Sequence, residues 1–569
     1  MNRGARVAAL AWPWLLSAVV LGPALFGRGY VLTYDMVWVP DLVLRPDFLG
    51  TGSGLPRAVP SDAVVAVIDA LLPGMLLQKL LLYGAPVAAA LGCRRLVGPS
   101  RTAQWVAMTV AIWNPFVAER LVIGHWPVLV GYAALPWLAL AAGRARRTGA
   151  MPAALPLLML LGSLSASAGL VSALVVLVFG LRRGGGRANL WLAVTVLTAN
   201  LPWLVAGLTH ASSAVADADG ARLFGTQPEG SLPAPLAALT LGGIWNAEVV
   251  PGSRTTLLAW AGLLVLLALA LTGRRTFLAT TPNARRWLLV GAVGWAVAVL
   301  SWASPEAIGW LGEQVPGLGL LRDGTRTLGP LVPVEAALFA AGAARIVARA
   351  RDAEWVVAPA LVLLPVLLLP DLAWGASGAL RPATYPASYD VARGAVAERA
   401  ARGPDGDLLV LPFTSYRAPA WNDDQSVLDP LGRYLTPDYL VSDTLFVGGT
   451  EVTGEDPRGP AVLDALAESS TASRADALAA VGVRFVVYDE SVQLPSSLHA
   501  MLAPEVAGDP VVKTRDLTVV ELTDPRSDPA PRATVMVLVL AWAGWLLWPL
   551  VALLAAVARV GRQRFGTGR

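Results

Sequence analysis

Leu257-Leu-Ala-Trp-Ala-Gly-Leu-Leu-Val-Leu-Leu-Ala-Leu-Ala-Leu-Thr-Gly-Arg-Arg275 decides the fold class of this chain. It carries no charge before its two closing arginines. At a helical rise of about 1.5 Å per residue it is long enough to cross a hydrocarbon core of roughly 30 Å. Working outward from 255–273, eleven more segments read the same way: about 7–25, 73–93, 102–118, 127–143, 151–166, 168–181, 189–208, 286–303, 328–344, 355–372 and 533–557. The expectation is a mainly α, polytopic membrane protein with about 12 transmembrane helices. Composition agrees: 55% of the 569 residues are apolar and 15% are charged, where a soluble domain carries about 25%. The pair 151–166 and 168–181 meets at Ser163-Leu-Ser-Ala-Ser-Ala-Gly169, which fits a hairpin or two tilted spans. Arg3 and Arg6 precede the first apolar stretch, and no small-x-small cleavage site closes it, so it reads as an uncleaved anchor.

Orientation follows from the arginines, because cytoplasmic loops are enriched in Lys and Arg. With the N-terminus inside, Arg94, Arg95 and Arg101 fall in the cytoplasm. So do Arg144, Arg146 and Arg147, then Arg182, Arg183 and Arg187, then Arg274, Arg275, Arg285 and Arg286. Arg345, Arg349 and Arg351 follow, and the tail adds Arg559, Arg562, Arg564 and Arg569. Both termini are expected inside, in a multi-pass protein of the plasma membrane.

Three segments are then expected outside: the loops 26–72 and 209–254, and a stretch at 375–532. The last holds 23 acidic and 13 basic residues, a net of −10, so the rest of the chain carries +14 to reach the overall +4. It reads as an extracytoplasmic α/β domain between a membrane domain at 1–372 and a last helix with a basic tail at 533–569. Helices are expected at Tyr389–Ala401, Ala461–Glu468 and Arg474–Ala480, and buried strands at Leu408–Pro412 and Gly482–Tyr488. Leu517–Leu522 alternates like an edge strand. Between these lies Tyr416-Arg-Ala-Pro-Ala-Trp-Asn-Asp-Asp424, whose Trp421 fits either carbohydrate contact or packing.

The candidates for chemistry cluster where outer loops meet the membrane. No phosphate loop, zinc signature, hydrolase elbow or dinucleotide fingerprint occurs, and a lone cysteine (Cys93) with three histidines argues against a Cys/His metal cluster. The first loop offers Asp35, flanked by Tyr34, Met36 and Trp38, and Asp41, which also fits a helix cap. Trp113-Asn-Pro-Phe-Val-Ala-Glu-Arg-Leu-Val-Ile-Gly-His-Trp126 brings Glu119, Arg120 and His125 to the outer surface, and Leu321-Arg-Asp-Gly-Thr-Arg326 brings Arg322, Asp323 and Arg326. A carboxylate can take the proton of a sugar hydroxyl, and arginines can hold a phosphate through paired hydrogen bonds. Partial burial is expected to raise the pKa of Asp35. Glu119 with Arg120, and Arg322 with Asp323, also fit structural ion pairs. Lys79 and Glu335 lie inside apolar segments, where a charge needs a partner, and each is a candidate for the other.

On these residues the chain resembles actinobacterial integral-membrane glycosyltransferases of the GT-C superfamily. Asn114–Trp126, continuing to Gly131-Tyr-Ala-Ala-Leu-Pro-Trp137, looks most like the membrane part of the arabinofuranosyltransferase-like members. The similarity covers the first 350 residues or so loosely and is weaker beyond. It implies inverting transfer of a pentose or hexose, of the arabinose or mannose class, from a polyprenyl-phosphate sugar donor to an envelope glycan or glycolipid at the outer face. A first-loop Asp would be the base, by position Asp35 first and Asp41 second. No Asp-x-Asp or Glu-Asp pair occurs in this loop, which leaves the base and any divalent cation open. Membrane lipid is the other expected partner, and no nucleic acid is expected. A polytopic transporter or lipid flippase, and a non-enzymatic envelope scaffold, are the alternative classes.

Overall fold

The computed structural model describes residues 3–565 apart from 53, 57, 212–217, 315–317, 448–449, 453, 455, 493–495 and 527–529. Every one of the twelve apolar segments is helical, but they are not twelve full spans. Seven described helical stretches are long and apolar enough to cross a bilayer: Gly74–Arg94, Trp126–Thr148, Gly186–His210, Leu257–Thr280, Ala284–Ala303, Leu331–Leu368 and Arg532–Val557. Leu10–Phe26 and Ala166–Gly180 are apolar but shorter. The shortfall has local causes. Arg101–Ile112 has 12 residues, about 18 Å of helix. It stops because Asn114 takes an extended conformation and Pro115 starts a new helix. Ala154–Gly162 ends at Ser163, and Ser165 recaps the chain by accepting the Ala168 N–H. Arg351, at φ +43°, breaks Leu331–Leu368 into Leu331–Ala350 and Glu354–Leu368.

Two of the central helices touch backbone to backbone. A Cβ on Gly273 would sit 2.4 Å from the Gly342 nitrogen, and one on Gly342 would sit 2.3 Å from the Leu269 oxygen. Small residues are what allow such close packing in a membrane. The basic loops gather at one end of the helices: the Arg182 guanidinium donates to Arg146 O, and Arg286 donates to Phe179 O at 2.8 Å. The loops 26–72 and 209–254 gather at the other end, 23 residues of helix away along Trp126–Thr148.

The expected pairing of Lys79 with Glu335 is not made. Lys79 Nζ donates to Gly27 O, beyond the end of helix Arg3–Phe26. Arg254 is the charge that acts on Glu335.

Beyond residue 380 the chain forms a five-stranded mixed sheet in the order 509–513, 517–521, 483–489, 407–411, 439–440. The last three strands run parallel, and 517–521 runs antiparallel to both its neighbours. Leu517–Glu521 is therefore interior, not an edge. The edge is Asp509–Lys513, whose largely exposed residues give no hydrophobic pattern to read. Alternation sorts the two faces. Leu409, Leu411 and Val486 pack under helices Arg458–Leu466 and Thr471–Ala480. Leu408, Val410, Phe485 and Val487 pack with Tyr389, Ala392 and Val396 of helix Ala387–Ala400, in a core continuous with the membrane helices.

The first outer loop is built into this segment. Tyr30–Val31 pairs antiparallel with Pro382–Ala383. Arg45 is buried and donates through Nη1 to the carbonyls of Gly432, Leu435 and Pro437. Arg417 sits at the centre of the segment. Its guanidinium contacts Asp429 at 3.0 Å and Asp489 at 3.5 Å and donates to Pro412 O at 2.8 Å, all out of solvent. Arg417→Ala would strand two buried carboxylates, which costs about 3–5 kcal/mol. Denaturation of the purified variant should show a loss of that order, and a loss under about 1 kcal/mol would contradict the burial described.

Candidate functional site

The site is assembled on the eight-residue helix Pro115–Val122. Asn114 starts it by accepting the Val117 N–H at 3.0 Å, and Pro115 occupies the first turn, where its missing N–H is not needed. Gly124, at φ +88°, ends it. The first outer loop crosses this glycine so closely that a Cβ would lie 2.1 Å from the Met36 nitrogen. There the Asp35 N–H donates to Ile123 O at 3.0 Å. On the other side the loop is held by the outer segment: the Tyr34 N–H donates to Ser426 O at 2.7 Å, and the Leu428 N–H to Tyr34 O at 2.8 Å.

Five polar side chains then connect in sequence. Asp323 is buried and accepts from Arg120 at 3.2 Å, from Arg326 Nε at 2.8 Å and from the Thr325 hydroxyl at 2.6 Å. Arg120, fully buried, also donates to His125 Nδ1 at 2.8 Å. With Nδ1 an acceptor, a neutral imidazole carries its proton on Nε2. That nitrogen lies 3.0 Å from Asp35 Oδ2, the acceptor its proton is assigned to, and 3.2 Å from Arg326 Nη2, a competing donor. Asp35 Oδ1 accepts from the Tyr416 hydroxyl at 2.5 Å. The Asp35 carboxylate is 36% exposed, while Asp323, Arg120 and His125 are buried.

The electrostatics follow from this order. Burial works to raise the pKa of Asp35, but the His125 hydrogen bond and charge, the Tyr416 hydroxyl and Arg326 outweigh it and hold the carboxyl below its ordinary value. This reverses the direction expected from burial alone. His125 is pushed down to about 4, first by burial and then by Arg326 and Arg120, against the pull of Asp35. Asp323 resists burial through Arg120 and Arg326 and stays well below the usual carboxylate range.

Glu119 points elsewhere. Adjacent residues on a helix diverge by about 100°, so Glu119 and Arg120 do not form the ion pair their proximity in sequence allows. Glu119 is fully buried and hydrogen-bonds Glu229, with a carboxyl pK raised well above the ordinary value by burial and by Glu229. Glu229 in turn takes the Arg254 Nε at 2.5 Å and the Gly243 N–H. This cluster fixes the second outer loop to the helix that carries Arg120, and gives Glu119 an anchoring place instead of a substrate contact. Glu229, Arg254 and Tyr416 were not readable as site residues, because their partners lie 14 to 381 residues away in sequence.

Of the other sequence candidates, Asp41 is 90% exposed and faces Arg393 at 3.8 Å, remote from the Asp35 contacts. Arg322 lies over the Phe224 ring at 4.8 Å and does not take Asp323, which Arg120 and Arg326 hold. Trp421 is no open sugar platform: its ring packs on Tyr385 at 5.0 Å and Tyr389 at 5.8 Å. The cluster does not fit a divalent cation either. Asp35 and Asp323 face N–H donors, and among the described residues no group of three or more His, Cys, Asp or Glu converges to hold a metal.

No protein-family model matches the sequence, and no curated protein matches it. Solved structures do. The arabinofuranosyltransferase AftD from Mycobacteria aligns over 93% of this chain and 40% of its own, with a TM-score of 0.55 at 16% identity. A mutant of the same protein aligns over 93% and 42%, with a TM-score of 0.51. The archaeal oligosaccharyltransferase AglB from Archaeoglobus fulgidus is more distant, at 11% identity and a TM-score of 0.37 over 85% of this chain and 69% of that one, too slight a likeness to bear on the fold. The fold of this chain is that of the aligned part of the mycobacterial protein, about 40% of whose length it spans.

His125 gives this geometry a pH signature. Its imidazole stays neutral in the folded protein down to about 4, while an unfolded histidine protonates near 6.5. Between those values the unfolded state binds more protons, so this contribution to stability is complete above about pH 6.5 and falls as the pH drops toward 4. The full swing is of order 3 kcal/mol. Nitrogen NMR of labelled histidine should show His125 as the Nε2–H tautomer with no titration between pH 5.5 and 8. Titration near 6.5 would refute the Arg120–His125–Asp35 arrangement.

Proposed function

We propose that this protein is an inverting membrane glycosyltransferase with Asp35 as its base. It moves a pentose or hexose, of the arabinose or mannose class, from a polyprenyl-phosphate donor to an envelope glycan or glycolipid at the outer face. The observation that carries this reading is the partly open Asp35 carboxylate, held by His125 and Tyr416 where the membrane helices meet the outer segment. The fold shared with a mycobacterial arabinofuranosyltransferase supports it.

The transfer is a displacement at the anomeric carbon. The acceptor hydroxyl oxygen forms its bond there while the bond to the phosphate oxygen breaks, and the electron pair leaves with the lipid phosphate. The hydroxyl proton goes to Asp35. A carboxylate of lowered pKa is a weak base, so it receives the proton late, once attack has made the hydroxyl acidic. Until then its charge stabilises the oxocarbenium-like centre that glycosyl transfer develops. Arg326 keeps one face on Asp323 and is 30% exposed on the other, placed to take the lipid phosphate.

In this reading residues 1–372 form the membrane domain, 375–532 lie outside the cytoplasm, and 533–569 return the chain to it, with both termini inside. The clustering of basic loops at the end opposite Asp35 supports that orientation.

Asp35→Asn keeps the shape and removes the base, so sugar transfer in membrane preparations should fall by roughly 10²–10⁴-fold with donor binding retained. Asp41→Asn, at an exposed site, should leave transfer within about twofold of wild type. The opposite ranking would move the base to Asp41, and loss in neither would end the first-loop mechanism. Orientation is checked separately. An alkaline phosphatase inserted near Gly459 should be active, and activity of a cytoplasm-only reporter there would invert the whole topology.

A further inference from the structure

The four turns at 94–101, 144–153, 181–187 and 274–286 hold thirteen arginines and no aspartate, glutamate or lysine. The rule that orients basic loops counts Lys and Arg and is nearly indifferent to acidic residues, so the missing carboxylates are a separate feature. Carboxylates do occur nearby: the turn after helix Leu331–Ala350 carries Asp352, and Glu354 opens the next helix.

The four turns adjoin. Arg286 donates to Phe179 O at 2.8 Å, near the end of helix Ala166–Gly180, and Arg182, just beyond that helix, reaches Arg146 O in helix Trp126–Thr148. A Cβ on Gly98 would touch Thr280. The Arg147 guanidinium and the Asn283 amide meet over Gly143, where a Cβ would lie 3.5 Å from Arg147 Nη1 and 3.8 Å from Asn283 Nδ2. Asn283 precedes helix Ala284–Ala303, and its side chain does not cap it.

Among the described residues none of the thirteen arginines forms an ion pair. The contacts they make are with neutral groups: carbonyls, the Gln104 amide and the Trp137 ring. A guanidinium has five N–H donors, and helix ends offer only partial negative charge. Like charges packed this closely repel one another until an anion from outside meets them. Directly beside them the surface is apolar: Leu181, Trp191, Leu278, Leu288 and Leu289 are exposed. A soluble polyanion would leave these side chains in water. An anionic phospholipid meets both features, with its phosphate on the guanidiniums and its acyl chains along the leucines.

We infer that this end of the helix bundle is a binding surface for anionic phospholipid, with its best-defined seat at Arg147, Arg182 and Asn283. The inference holds whatever the protein catalyses and uses no part of the Asp35 cluster.

The test uses the full chain in neutral detergent, with bound species counted by native mass spectrometry. The probes are short-chain phosphatidylglycerol, short-chain phosphatidylcholine and glycerol phosphate. Wild type should bind phosphatidylglycerol saturably and phosphatidylcholine at least about tenfold more weakly. An arginine beside an anionic headgroup contributes about fivefold in affinity. Arg147→Gln, at an exposed position where folding is not at stake, should therefore weaken phosphatidylglycerol binding about fivefold, and Arg147→Gln/Arg182→Gln by about tenfold or more. Arg402→Gln, an exposed arginine of the outer segment, should bind as wild type. Equal binding of the two lipids, undiminished binding by both arginine variants, or an equal loss in Arg402→Gln overturns the inference. Glycerol phosphate binding as tightly as phosphatidylglycerol overturns it as well, by assigning the patch to a soluble phosphate. No sugar transfer enters the readout, so failure here leaves the transferase reading standing, and failure of that reading leaves this one.

Discussion

The end of the helix bundle that carries Asp35 depends on one ion pair. Arg120 has no exposure to solvent, and a guanidinium in that position is tolerable only against a carboxylate. Asp323 supplies it, from a turn some two hundred residues away in sequence. Once that pair is fixed, Arg120 Nη1 also meets His125 Nδ1, which leaves Nε2 to carry the proton of a neutral imidazole. The tautomer decides which nitrogen can donate to Asp35, and Asp35 decides where Tyr416 must lie. A low-dielectric surrounding makes each of these links costly to break.

The same economy explains why the first outer loop does not behave as a loop. Its backbone groups are spent on Ile123, Ser426 and Leu428, and its Arg45 on three carbonyls of the outer segment. Buried main-chain groups need partners, and here they come from both sides at once. The carboxylate of Asp35 is thereby pinned between the turn after helix Pro115–Val122 and the two-stranded ribbon of Tyr416–Arg417 and Val427–Leu428. Rigid support of that kind is what positions a reacting group to a fraction of an ångström.

Much of the architecture was legible in the apolar runs. All twelve appear as helices, because runs such as Leu257–Thr272 have no other way to satisfy their backbone in lipid. Span number was less legible, since it turns on single interruptions: Asn114-Pro115, Ser163 and Arg351. In the site, Asp35, Arg120, His125, Asp323 and Arg326 could be named because charged residues are scarce at the membrane edge of so apolar a chain. Their connections could not. Neighbours in sequence, Glu119–Arg120 and Arg322–Asp323, pair elsewhere in space. The pKa of Asp35 moved against expectation because hydrogen bonds from His125 and Tyr416 outweigh burial, and those donors are visible only in three dimensions. The strand at Asp509–Lys513 was missed for the opposite reason, being too exposed to carry a pattern.

The contact between Asp35 and Tyr416 joins residues 381 positions apart in the chain. A ribosome adds about 5–20 residues per second, so the first outer loop is delivered roughly 20–75 seconds before its counterpart exists. During that interval the carboxylate, the Arg45 guanidinium and the strand edge at Tyr30–Val31 have only water and lipid headgroups for company. The Asp35 cluster is thus one of the last parts of the molecule to be completed during biosynthesis. A nascent chain halted before residue 416 would insert its first helices and still leave Asp35 without its Tyr416 partner.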